Sequence, residues 1–239
     1  MMSNIRKLVI GELKRLLKYK ILVIGIIVSI LWVLIIALAN REDIEPFVSI
    51  LLGMDASIMS ILLLGAAYYF EKQEGTIKTM LVAPIGLLEV LVSKIVSAII
   101  MSIISAFLVA LSARIFQGIE INLLLLFIYT VVILLSHAAI AYTICLFSKD
   151  FGAMMGYLGS FMIISIVPMV LNIFDLIPKD YEYIFLIIPF KAADTLYSSL
   201  INDISIKYII ISLLYLIVLG SLLYKFVVYK RFRKFAIEG

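Results

Sequence analysis

Long apolar stretches joined by short polar ones make up this chain. A helix that crosses a bilayer needs about 20 mostly apolar residues at a rise of about 1.5 Å each. Six stretches meet that need, at residues 21–39, 47–70, 95–115, 122–147, 153–177 and 207–228. A further apolar run, Tyr183 to Phe190, is too short to cross and reads as a re-entrant or interfacial piece before the last span. Ahead of the first span, Ile5, Leu8, Val9, Leu13, Leu16 and Leu17 fall at helical spacing. Arg6, Lys7, Lys14, Arg15 and Lys18 lie mostly on the opposite side. Residues 1–20 thus predict a basic amphipathic helix lying in the membrane interface, either an anchor on anionic lipid or a lever touching a partner. The expected fold is all-α and polytopic, a single membrane domain over residues 1–239. No Pro-, Gly- or Ser-rich spacer divides it, and no inverted internal repeat is evident.

Composition agrees with the pattern. Hydrophobic residues are 64% of the 239 and charged ones 15%, against about 45–50% and about 25% in soluble domains. Disorder, coiled coil and disulfide scaffold are excluded; Cys145 is the single cysteine. The net charge of +4 matters less than its distribution. With the N-terminus inside, 15 Lys and Arg fall on the cytoplasmic side and five outside. The positive-inside rule therefore puts both termini in the cytoplasm, with the plasma membrane as the expected location. No small-residue cleavage site follows the first span, so residues 1–20 read as retained helix rather than a cleaved signal.

The join between spans two and three, Phe70 to Lys94, is unusually informative. Glu74 and Lys78 stand at the favourable i,i+4 spacing. Gly75 disfavours a continuous helix and suggests a bend or a close backbone approach, and Pro84 ends any helix before it. A short helix over about 71–82, then re-entry, is the expected parse. Thr76, Ile77, Met80 and Leu81 are too apolar for a hairpin facing only water, which implies a covering protein surface. The order Glu71, Glu74-Gly75-Thr76, Lys78, Leu81, Pro84, Lys94 resembles the permease subunits of ABC exporters of the ABC-2 type. The six-span layout and the N-terminal helix extend the resemblance over essentially the whole chain. One departure is Ser93, where the family often has glycine before the lysine.

The resemblance implies that residues 71–83 form a coupling helix seated in a separate ATPase subunit, with residues 4–20 as the connecting helix beside it. It implies a working unit of two permeases, a homodimer by expectation, and two ATPases, with the pathway between the permeases. The chain has no GxxxxGK[ST] phosphate loop. ATP and Mg are then expected on the partner, with no cofactor or metal held in this chain and no catalytic residue.

A few residues stand out inside the spans. Asp55 is the only acid well within one. A central acid costs insertion about 2.5–3.5 kcal/mol, which the apolar residues of span two outweigh. It is read as a functional acid that lines a cavity or meets a substrate cation or a proton, as making a structural hydrogen bond, or as wetted by the outer vestibule. His137, the sole histidine, lies about 10 Å deeper than Asp55 at 1.5 Å per residue, too far for a direct pair, and reads as a helix–helix contact. Gly152, Gly156 and Ser160 form a small-residue stripe for close helix packing, at the dimer interface or within the subunit. Pro168 should kink span five. Residues 178–204 resemble the family's extracellular re-entrant region, with Tyr181, Tyr183 and Tyr197 suited to the membrane interface. The basic-aromatic C-terminal tail reads as lipid anchoring, not nucleic-acid binding.

Competing classes fare less well. A stand-alone secondary transporter or channel would need no ATPase, and Asp55 alone supports it. An intramembrane enzyme lacks a His/Glu cluster, a second acid for an aspartyl dyad, and a nucleophile elbow.

Overall fold

The computed structural model describes residues 2–75, 86–173, 176 and 184–238. Its helices are α1 (Met2–Lys18), α2 (Ile21–Leu38), α3 (Arg41–Gly53), α4 (Ser60–Gln73), α5 (Leu87–Gln117), α6 (Leu123–Phe147), α7 (Phe151–Ile173), α8 (Pro189–Ser198), α9 (Ile206–Leu222) and α10 (Tyr229–Glu238). A π-helical turn, Met54–Met59, joins α3 to α4, and a second, Leu223–Val228, joins α9 to α10. Six runs are long and apolar enough to cross a membrane: Ile21–Leu38, Arg41–Glu71, Leu88–Gln117, Leu123–Phe147, Phe151–Pro168 and Ile206–Arg231. They are spans one to six of a multi-pass membrane protein.

Two helices start earlier than hydropathy alone suggests. Span two begins at Arg41 rather than 47 because Glu42 and Asp43 occupy its first turn, where the helix dipole favours acids. The helix of span three, α5, begins at Leu87 rather than 95. There the Glu89 carboxylate accepts the Gly86 N–H at 3.1 Å and fixes the first turn. Pro168 lies inside α7, which continues to Ile173.

Span four is the central post, in contact with α4, α5 and α9. One half of the core gathers Ile36, Leu52, Ala110, Leu126, Ile133 and Tyr197. The other gathers Ile61, Tyr68, Leu91, Ala138, Met154 and Leu158. Span six packs backbone to backbone on span four at Gly220, where an added Cβ would stand 3.1 Å from the Ser136 Cα. Burial separates inner from outer helices: within an 18-residue apolar stretch of each, 69% of span two and 56% of span four is buried, against 17% of spans one and six and 22% of span five. Spans one, five and six therefore offer most of their surface outward.

The short element before span six is more deeply placed than its sequence suggests. Pro189 opens α8, a position that tolerates the missing N–H. The helix then tucks between spans two, four and six. Tyr197, expected at the membrane interface, is instead fully buried, its hydroxyl 3.0 Å from Thr130 Oγ1. The hydroxyl has found a partner inside, which removes the reason for an interfacial position. Lys191 and Asp194 pair at 3.3 Å on the same buried face, with Ser49 donating to Asp194 at 3.3 Å. Tyr181 and Tyr183 lie outside the described residues. In α10, the Arg231 guanidinium stacks 3.7 Å over the Phe147 ring of span four.

Candidate functional site

Besides the buried Lys191–Asp194 pair, two polar clusters interrupt the apolar bundle. The first is at its foot, where α1, the end of span two and the start of span three meet. Lys94 lies nearly two turns into α5 and is 4% exposed. Its Nζ donates to Glu12 Oε1 at 2.8 Å and to Glu71 Oε1 at 2.5 Å. Arg15 also pairs with Glu12, and its Nη1 stands 3.6 Å from Glu71 Oε1. Two cations thus face two carboxylates, drawn from three helices, with Glu12 and Glu71 both buried. Burial pushes the Glu12 carboxyl up, but Lys94 and Arg15 outweigh it and hold the group below its ordinary value.

The cluster continues to the exit of span two. Lys18 Nζ lies 3.3 Å from Glu74 Oε1, and the Tyr19 hydroxyl donates to Glu74 Oε2 at 2.5 Å. Partial burial and the Glu74 hydrogen bond push Tyr19 up to about 12, so it remains a donor at physiological pH. Gly75 follows with φ +67°, in the left-handed region, and ends the helix. No described atom lies within 4 Å of a Cβ built there. The left-handed angle is itself a reason for glycine at this position.

This geometry revises one expectation. Glu71 is not the first residue of a separate helix but lies on the last turns of span two, which runs to Gln73, and it is 1% exposed. Its partners are intramolecular because Lys94 and Arg15 are within reach on both sides. Thr76, Lys78, Leu81 and Pro84, together with most of the expected coupling helix, lie outside the described residues. Sequence alone does not single out Glu12, or Arg15 as its partner. An acid among basic residues on an amphipathic helix reads as solvated, and Lys94 lies on another span.

The second cluster surrounds Asp55, on the π-helical turn midway along span two. Such turns are rare and frequent at functional sites. The carboxylate is buried, flanked by Ser105 and by the Trp32 indole, whose N–H has no hydrogen-bond partner among the described residues. Ser29 and Ser105 share a hydrogen bond of 2.5 Å, and Ser60 and Ser102 one of 3.0 Å. Among the described residues no basic side chain pairs with Asp55. His137 is elsewhere, its Nδ1 donating to the Ile133 carbonyl at 2.8 Å.

The small-residue stripe is open. A Cβ at Gly156 would meet no described atom within 4 Å, and one at Gly152 only the Asp150 side chain. Ser160 is not buried and donates to the Gly156 carbonyl in its own helix. Among the described residues, the stripe thus packs nothing within the subunit.

Six membrane-crossing helices with a buried ionic joint at one end make this a polytopic membrane protein. The family model of ABC-2 family transporter proteins matches residues 39–229. The chain belongs to that family, and is a membrane permease of an ABC transporter rather than a catalytic subunit. A comparison with curated proteins finds no match.

Proposed function

We propose that this chain is the pathway-forming subunit of an ATP-driven exporter. It works as a homodimer bound to two copies of a separate ATPase, which carry the ATP and Mg. Both termini and the joint lie on the cytoplasmic side of the plasma membrane. The segment that begins at Glu74 and Gly75 and includes Thr76, Lys78, Leu81 and Pro84 seats in the ATPase. Glu71 holds the root of that segment to α1 and span three. The observation that carries this reading is the ion cluster itself. A push delivered to residues 76–85 enters a foot in which α1, span two and span three are tied by buried charges, so the three move together. Rigid-body transmission of this kind needs no flexible linkage.

The open stripe on span five and the outward faces of spans one and five support a second copy as neighbour. The test is co-purification with the ATPase followed by ATP-driven export from proteoliposomes. Glu74→Lys and Gly75→Pro should abolish coupling while the permease still inserts. Solute movement by the purified chain alone, without nucleotide, would overturn the proposal in favour of a stand-alone carrier.

A further inference from the structure

Beside Asp55 lies a cavity of about 220 Å³ walled by α1 and spans one, two and three. Its polar lining is Asp55 with Ser29, Ser60, Ser102 and Ser105, the serines paired as Ser29–Ser105 and Ser60–Ser102. The remainder is hydrocarbon, from Leu13 and Leu16 on α1 through Leu63 and Leu64 on span two. From Asp55 to Leu64 the pocket extends about 13 Å along the span at 1.5 Å per residue. The lining residues Ile26, Ile104 and Leu108 are also exposed on the outer surface, so the mouth opens sideways between spans one and three. Gly25 makes part of the space: a Cβ there would touch Leu63 Cδ1 at 3.4 Å and Met101 Cε at 3.5 Å.

We propose that this pocket binds a hydrophobic organic monocation, an ammonium head on an aliphatic tail, entering laterally from the bilayer. Charge complementarity selects the head. Asp55 is 7% exposed, ringed by hydroxyls, and has no basic partner among the described residues. A buried carboxylate without a counter-charge is costly, and an incoming cation removes that cost. An anion would be repelled, and a neutral tail would leave the acid unpaired. Divalent metal is disfavoured by the donor set, because no three His, Cys, Asp or Glu side chains gather among the described residues. The long apolar wall selects the tail.

The inference deepens the export reading and rests on it for the step after binding: the bound cation is then the class of molecule exported. Binding itself is measured on this chain alone, without ATPase or nucleotide. A negative result would leave the coupling reading untouched, and a failed ATPase co-purification would leave the site untouched.

Trp32, the only tryptophan, provides the signal from beside Asp55. The protein is reconstituted in phosphatidylcholine vesicles and titrated below lytic concentration with decyltrimethylammonium, decanol and decylsulfonate, which share one tail. The ammonium should change the Trp32 emission saturably and the other two should not. Asp55→Asn should weaken the apparent affinity at least about tenfold, the scale of one charge-assisted hydrogen bond. Gly25→Leu, which fills the apolar part and leaves the acid in place, should abolish the saturable change; this variant keeps the test open if Asp55→Asn does not fold. Equal responses to all three probes, or an Asp55→Asn variant that binds as wild type, would reduce the pocket to a crevice for lipid tails. A saturable response to sodium or potassium chloride that blocks the ammonium would make it an alkali-ion site. Either result overturns the proposal.

Discussion

The foot of the bundle and the middle of span two each bury carboxylate in apolar surroundings, and they treat it in opposite ways. At the foot, Glu12 and Glu71 meet Lys94 and Arg15, so charge is balanced inside the subunit. Around Asp55 the polar groups within reach among the described residues are hydroxyls and an indole. Burying a pair need not add net stability, but removing one partner of such a pair is severe. The same logic makes the foot a joint, whose parts cannot separate without stranding a charge. It makes the Asp55 region receptive to a counter-charge from outside the chain. The contrast lies in what surrounds the acids, and it is measurable.

The largest effect should come from Lys94→Met. It leaves two buried acids facing each other with only Arg15 between them, and should cost about 3–5 kcal/mol. Thermal unfolding in detergent, followed by helical circular dichroism, reads this. Adding Glu71→Gln removes one stranded charge and should recover part of the loss. A Lys94→Met protein as stable as wild type would mean the cluster is no joint.

Gly75→Ala should be next, at about 1–2 kcal/mol, the cost of a left-handed angle for a residue with a Cβ. Gly75→Asn should lose less, because asparagine tolerates that angle. In the assembled complex, ATP-driven transport should follow the same order, glycine above asparagine above alanine. A ranking by side-chain size instead would point to a steric contact with a partner.

Smaller still is Tyr19→Phe. Its bond to Glu74 is exposed, and so is the neighbouring Lys18–Glu74 pair. Loss of stability should stay below about 1 kcal/mol. Coupling to the ATPase should fall more than stability does, if α1 steers the exit of span two. Equal losses would make the contact merely structural.

The sequence exposes the two regions unequally, for physical reasons. Spans are legible because hydrocarbon demands long apolar runs, and Asp55 stands out as an exception within one. Glu74-Gly75-Thr76 is legible because a glycine between polar residues marks a helix end. The joint is hidden. Glu12 and Lys94 are 82 positions apart, and each sits among neighbours that make it look solvated or interfacial. No periodicity encodes such a pairing, since it arises only when α1 folds back across span three. Tyr197 misleads for a related reason: its partner Thr130 belongs to span four, and an amphipathic ring near a span end looks interfacial until that partner is known.

Asp55→Asn should have the smallest effect on stability and so sharpens the comparison most. Asparagine keeps the shape, removes an uncompensated charge, and retains a carbonyl oxygen that can accept from a serine hydroxyl. No buried partner is stranded, because none with charge is present among the described residues. The unfolding midpoint should therefore stay within about 1 kcal/mol of wild type or rise, since an apolar site penalises the charged form. The assay is the same detergent unfolding used for Lys94→Met, so the two values compare directly. If Asp55→Asn instead costs as much as Lys94→Met, the carboxylate is supporting the bundle. The two regions would then be two versions of one structural device, and the distinction between a closed joint and a receptive pocket would be lost.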